Sequence, residues 1–96
     1  MAGSAVLITH AVGLHARPSV KFTKLAKRFA AKVELATAAD GPWIDAKSIV
    51  KVMAMKAPKD TILFVRAEGE DADAAVEALV ALVTRNFDED SEHAPA

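Results

Sequence analysis

Residues 4–9, Ser-Ala-Val-Leu-Ile-Thr, form a short apolar run that predicts a first strand. Gly13 marks a turn, and Pro18 suits the first position of a helix, where its missing N–H has no partner to lose. From Pro18 to about Ala31 the apolar positions keep a helical period, with Phe22, Leu25, Ala26 and Phe29 on one face. Residues 32–38 alternate apolar and polar, the pattern of a half-buried strand. Asp40-Gly41-Pro42 is a turn signal, and Trp43 to Asp45 reads as a short strand behind it. Ser48 is placed to cap a short helix running through about Met55, which Pro58-Lys59-Asp60 ends. Residues 61–67, Thr-Ile-Leu-Phe-Val-Arg-Ala, carry the strongest strand pattern of the chain. After the Glu68-Gly69-Glu70 turn, Val76, Leu79, Val80 and Val83 predict a last helix over about 72–86. Asp71 and Asp73 in its first turn, with Glu77 slightly further in, suit the positive end of its dipole. Residues 88–96 are acidic and aperiodic and read as a frayed tail.

The order strand-helix-strand-strand-helix-strand-helix argues for an α+β fold, with helices packed on one face of an antiparallel sheet. It resembles ferredoxin-like and related split folds, and pattern alone leaves the strand order open. The 96 residues suffice for one modest core. We expect one domain over residues 1–87 with the acidic tail attached, too short for a dinucleotide-binding enzyme fold or an α/β barrel. No cysteine is present, which excludes disulfides, thiolate zinc sites and cysteine nucleophiles. No basic leader and no long apolar stretch follows Met1, so the expectation is a cytoplasmic protein that does not enter a membrane.

The formal net charge of −1 hides a split. Residues 1–59 hold ten basic and three acidic side chains, while residues 60–96 hold two basic and ten acidic. From Arg17 to Lys32 there are six basic residues and no acidic one. On a helix, Arg17, Val20, Lys24 and Lys27 fall within a sector of about 80°, opposite Phe22, Leu25 and Phe29. Such a face suits an acidic protein partner with an apolar centre. A solvated basic face is the other reading of the same stripe, and Val20 is either its exposed centre or a partly buried edge residue. The near-zero net charge, the 5% aromatic content and the lack of an RNA-binding strand motif argue against a nucleic-acid binder.

The segment Gly13-Leu14-His15-Ala16-Arg17-Pro18-Ser19 carries the chemistry. It sets a histidine immediately before a helix start, where unbonded N–H groups and the dipole favour an anion. Arg17 can fork onto phosphate oxygens, and a neutral imidazole nitrogen is a competent nucleophile near pH 7. These parts suit in-line attack of the imidazole on a phosphoryl group, with Arg17 and the amides of Ala16 and its neighbours stabilising the oxygens. A histidine near a helix start can equally be an ordinary polar loop residue. Other sites fail on composition. His10 and His15 supply no set of three or four metal ligands, no Gly-x-Ser-x-Gly turn exists, and Lys47-Ser48 lacks the glycines of a nucleotide-binding loop. Neither His10 nor His93 is given a role.

Three segments in order carry a specific resemblance: Gly13-Leu14-His15-Ala16-Arg17-Pro18, Ala46-Lys47-Ser48-Ile49, and Ala67-Glu68-Gly69-Glu70-Asp71 leading to Ala75-Val76-Glu77. Over about residues 4–86 the chain resembles the HPr family, the histidine-containing phosphocarriers of the bacterial phosphoenolpyruvate-dependent phosphotransferase system. The resemblance implies an open-faced β-sandwich of four antiparallel strands with three helices on one side. It implies a carrier and not a turnover enzyme; no cofactor or metal is expected, and a transiently docking carrier has no need to be more than a monomer. Its His15 would take a phosphoryl group on Nδ1 from Enzyme I and pass it to a histidine of an EIIA-type protein, for sugar uptake or regulation. Arg17 would steady the phosphate, and partners would dock on Val20, Lys24, Lys27, Ile49, Val50 and Lys51. Ser48 matches the regulatory serine that a dedicated kinase, with its phosphorylase, acts on in many relatives; it is also a plain helix cap. The alternative function is a regulatory relative acting through Ser48 and protein binding without phosphoryl flux. A third is a binding module that recruits an acidic partner by its basic helix face alone. The chain departs from the family at Met55-Lys56-Ala57, where a glycine often follows the second helix, at Trp43, and in the tail.

Overall fold

The computed structural model describes residues 2–9, 14 and 16–88. Of the positions singled out above, His10, Gly13, His15, His93 and the tail beyond Asp88 lie outside the described residues.

The elements follow the expected order: β1 (Ala2–Leu7), α1 (Ala16–Ala26), β2 (Lys32–Ala36), β3 (Ile44–Asp45), α2 (Ile49–Ala54), β4 (Ile62–Glu68) and α3 (Ala72–Thr84), then a 3-10 turn at Asn86–Asp88. The strands form one antiparallel sheet in the order β1-β4-β2-β3. β4 has the strongest strand pattern and lies inside the sheet, paired from Ala2↔Ala67 to Leu7↔Ile62 on one side and from Lys32↔Glu68 to Ala36↔Phe64 on the other. Its alternation sends Leu63, Val65 and Ala67 into the core and leaves Ile62 and Glu68 exposed on the other face. Val33 and Leu35 of β2 lie opposite Ala67 and Val65 and share the buried face. Onto that face pack Phe22 and Ala26 of α1, Val52 of α2, and Ala75, Leu79 and Val83 of α3, in one cluster with Ile8, Leu14 and Phe87. Helices on one face of an antiparallel sheet are the α+β arrangement expected from the element order, and the open-faced form is the one the family resemblance implies.

The boundaries move for identifiable reasons. β1 ends at Leu7 and not at Thr9: the Ile8 N–H bonds Thr61 O while the Ile8 carbonyl accepts from Asp60 N–H, so two residues face Ile8 and this bulge ends the regular ladder. α1 starts at Ala16, two residues before Pro18, which therefore sits third in the helix and still in the turn whose N–H groups lack intrahelical partners. The helix stops at Ala26, short of Ala31. The bonds of Arg28 N–H to Leu25 O and Phe29 N–H to Ala26 O tighten the last turn. The amides of Ala30 and Ala31 then go to the Asp71 carboxylate, each at 2.8 Å, and the Phe29 carbonyl accepts from Lys47 Nζ at 2.8 Å. Asp71 is thus not in the first turn of α3; it occupies the cap position, makes no side-chain cap bond there, and serves the end of α1 instead. Those amide bonds, Ala30 first, hold its carboxyl below the ordinary carboxylate range.

β2 ends at Ala36 and not at 38, β3 loses Trp43, and α3 ends at Thr84 before the 3-10 turn. Trp43 flanks β3 with its ring under the Arg66 guanidinium, 3.9 Å from the ring centroid. Arg66 Nε and Nη2 meet Glu34 Oε1 at 2.9 and 2.8 Å, and Glu34 and Arg66 face each other across β2 and β4. The ring therefore packs against the sheet face that carries no helices.

Candidate functional site

Position 15 itself lies outside the described residues; its two chain neighbours do not. Leu14 is buried at 2% exposure, and both of its backbone polar groups have partners. Its N–H donates to Ala57 O at 2.8 Å, and its carbonyl accepts from the Ser19 hydroxyl at 3.2 Å. Ala16 opens α1, so the helix begins on the residue immediately after position 15. The first amides of this helix, with Pro18 contributing none, meet the dipole's positive end there. Ala16 and Arg17 are exposed, and Pro18 and Ser19 are buried against the core.

Further along α1, Val20, Lys24 and Lys27 are exposed, and Val20 shows 40% of its surface, which decides between its two readings. Lys21, beside them in sequence, turns inward and donates from Nζ to Phe87 O at 3.1 Å, tying the helix to the 3-10 turn at Asn86–Asp88. α2 packs against α1. On it Val50 is 74% exposed, Lys51 is exposed and Ile49 is half-buried. Met53, 41% exposed, adds an apolar residue that sequence reasoning missed; its i+3 spacing from Val50 was the available signal. Two touching helices thus present exposed apolar side chains among Arg17, Lys24, Lys27 and Lys51.

Ser48 caps α2 as its sequence position suggests. Its backbone is extended, its Oγ accepts from Lys51 N–H at 3.3 Å, and its carbonyl receives Val52 N–H. Beyond α2 the chain reverses at Lys56, whose φ of 51° is left-handed. That turn carries Ala57 to Leu14, so the loop after α2 and the segment before α1 share a hydrogen bond. Among the described residues no group of three or more His, Cys, Asp or Glu is placed to hold a metal ion, and no helix is long and apolar enough to cross a membrane.

A family model described as the PTS HPr component phosphorylation site matches residues 4–85. The phosphocarrier protein HPr of Pseudomonas aeruginosa is 39% identical over 84 residues, 88% of this chain and 92% of the relative. That of Haemophilus influenzae is 42% identical over 71 residues, 74% of this chain and 81% of the relative. The crystal structure of HPr-C-His from Thermoanaerobacter tengcongensis superposes with a TM-score of 0.85 at 31% identity, covering 93% of this chain and 98% of that one. HPr from Bacillus anthracis gives 0.76 at 34% identity, covering 83% and 93%. The chain belongs to the HPr family, the phosphocarrier proteins of the phosphotransferase system, which carry a phosphoryl group and are not enzymes.

Proposed function

We propose that this chain accepts a phosphoryl group on His15 from phosphoenolpyruvate-charged Enzyme I and delivers it to a histidine of an EIIA-type protein. The observation that carries this is the start of α1 at Ala16, directly after position 15, with exposed Arg17 one residue into the helix. With the ring proton on Nε2, the Nδ1 lone pair attacks phosphorus in line. The bond from phosphorus to the donor's leaving atom breaks as the new P–N bond forms. The helix N-terminus and the Arg17 guanidinium offset the charge on the transferring oxygens. The reverse geometry releases the group to the next histidine.

Docking falls to α1 and α2, through Val20, Lys24, Lys27, Ile49, Val50 and Lys51, where apolar surface sits inside a basic surround suited to acidic partners. Ser48 lies at the start of α2 beside these residues. A kinase placing a phosphate there would add up to about two negative charges to the face that meets acidic partners, weakening docking while the cap position tolerates the group. A carrier fed by a phosphoenolpyruvate-derived donor would work in the cytoplasm.

The test is incubation with phosphoenolpyruvate and Enzyme I, followed by intact mass before and after mild acid. One acid-labile phosphoryl group is expected, absent from His15→Ala. Labelling of His15→Ala to the same extent would sink the assignment, as would no labelling of wild type by an Enzyme I active on another carrier.

A further inference from the structure

Two hydroxyls are buried in α1, and they do different things. Thr23, 4% exposed, donates to Val20 O at 3.1 Å, a bond within its own helix. Ser19, fully buried, reaches back five residues to Leu14 O, which lies before the helix begins. The reason lies in where the helix begins. It opens at Ala16, so its own hydrogen-bond ladder does not extend back to the Leu14 carbonyl, and Pro18, with no N–H, offers that oxygen no donor either. Leu14 is 2% exposed, so bulk water has little access to that oxygen. A buried carbonyl without a donor is costly, and the Ser19 hydroxyl supplies the donor that the backbone does not. With the Leu14 N–H held by Ala57 O, the peptide groups on both sides of Leu14 are fixed in orientation. The second of them is the peptide bond that joins Leu14 to His15.

We propose that Ser19 is a positioning residue for phosphoryl transfer. By holding the Leu14 carbonyl it sets the backbone direction from which the His15 side chain departs, and so the line of attack at phosphorus. This rests on His15 being the acceptor. In-line displacement tolerates little misalignment, and small errors in placing a reacting group cost up to about a hundredfold in rate. Alanine at position 19 would suit the helix and the apolar surroundings but leave the Leu14 carbonyl without the hydroxyl. Its effect should therefore fall on the chemical step and not on docking, because Ser19 is buried and no part of the exposed face.

The experiment measures phosphorylation of wild type, Ser19→Ala, Thr23→Val and His15→Ala by phosphorylated Enzyme I across carrier concentrations, with a thermal melt of each. Ser19→Ala is expected to lose about tenfold or more in the rate at saturation, with the half-saturating concentration unchanged. The nitrogen–proton correlation spectrum of its His15 ring should shift relative to wild type. Thr23→Val, which removes the other buried hydroxyl of the same helix, should keep the wild-type rate. A wild-type rate and ring spectrum in folded Ser19→Ala would overturn the proposal while leaving His15 as acceptor. Equal rate losses in Ser19→Ala and Thr23→Val would also overturn it, since both would then report helix stability. Labelling of His15→Ala would remove the phosphocarrier reading and this proposal together. Should Ser19→Ala not fold, Ser19→Cys carries the same test. Its weak thiol donor should leave an intermediate rate, and an unchanged rate would overturn the proposal.

Discussion

Lys56 is the position where the backbone itself makes a measurable prediction. It follows α2 with φ of 51°, exposed, its N–H bonded to Met53 O at 3.2 Å. A side chain in the left-handed region crowds the carbonyl that follows, at about 1–2 kcal/mol per residue. Glycine avoids that crowding but loses about 0.4–1 kcal/mol more backbone freedom on folding. The difference leaves Lys56→Gly more stable by about 0.5–1 kcal/mol. For a chain of this length that is a rise of about 2–5 °C in Tm. Thermal melts by circular dichroism and urea titrations with an unchanged slope would measure it. Lys56→Ala keeps the left-handed crowding and removes only the charged stem, so it should melt with wild type. If alanine stabilised as much as glycine, the gain would come from losing the lysine and the backbone argument would fail. If glycine stabilised nothing, the chain would not be strained at this turn.

Asp71 makes stability depend on pH. Its folded pKa lies below the unfolded value of about 3.9, so its contribution is complete above that value and is lost as pH falls through the folded pKa. The gap in urea midpoint between wild type and Asp71→Ala should therefore narrow from pH 7 towards pH 2, and a constant gap would refute the assignment. Ser48→Ala should cost about 0.5–1 kcal/mol by removing the α2 cap, the low end because the bond is 3.3 Å long. Ser48→Asp should retain the cap but raise the half-saturating concentration for Enzyme I, and an unchanged value would separate Ser48 from docking. A double-mutant cycle of Arg66→Ala with Trp43→Leu should show about 0.5–1 kcal/mol of coupling in urea unfolding, and none would make their stacking incidental.

Element types and their order were legible in the sequence because they rest on local properties. Leu63, Val65 and Ala67 alternate, Val76, Leu79 and Val83 repeat with the helix, and Ser48 stands one residue before a helix start. A helix beginning close behind position 15 was legible for the same reason, and so were the outward positions of Lys24 and Lys27, opposite Phe22 on the helical period, whereas the exposure of Val20 was settled only by the packing of α1. Met53 could have been found by extending that period along α2.

Tertiary structure alone decided what depends on residues far apart in the chain. The order β1-β4-β2-β3 comes from pairings that no local pattern specifies. The end of α1 depends on Asp71, forty residues further on, and on Lys47, because unbonded helix-end groups accept whatever partner the fold delivers. Trp43 found its partner in Arg66 through sheet pairing, and Lys56 took a left-handed turn so that Ala57 could meet Leu14. Periodicity and propensity act between near neighbours and can be read along the chain. Hydrogen bonds and stacking between distant segments exist only once the core has brought those segments together.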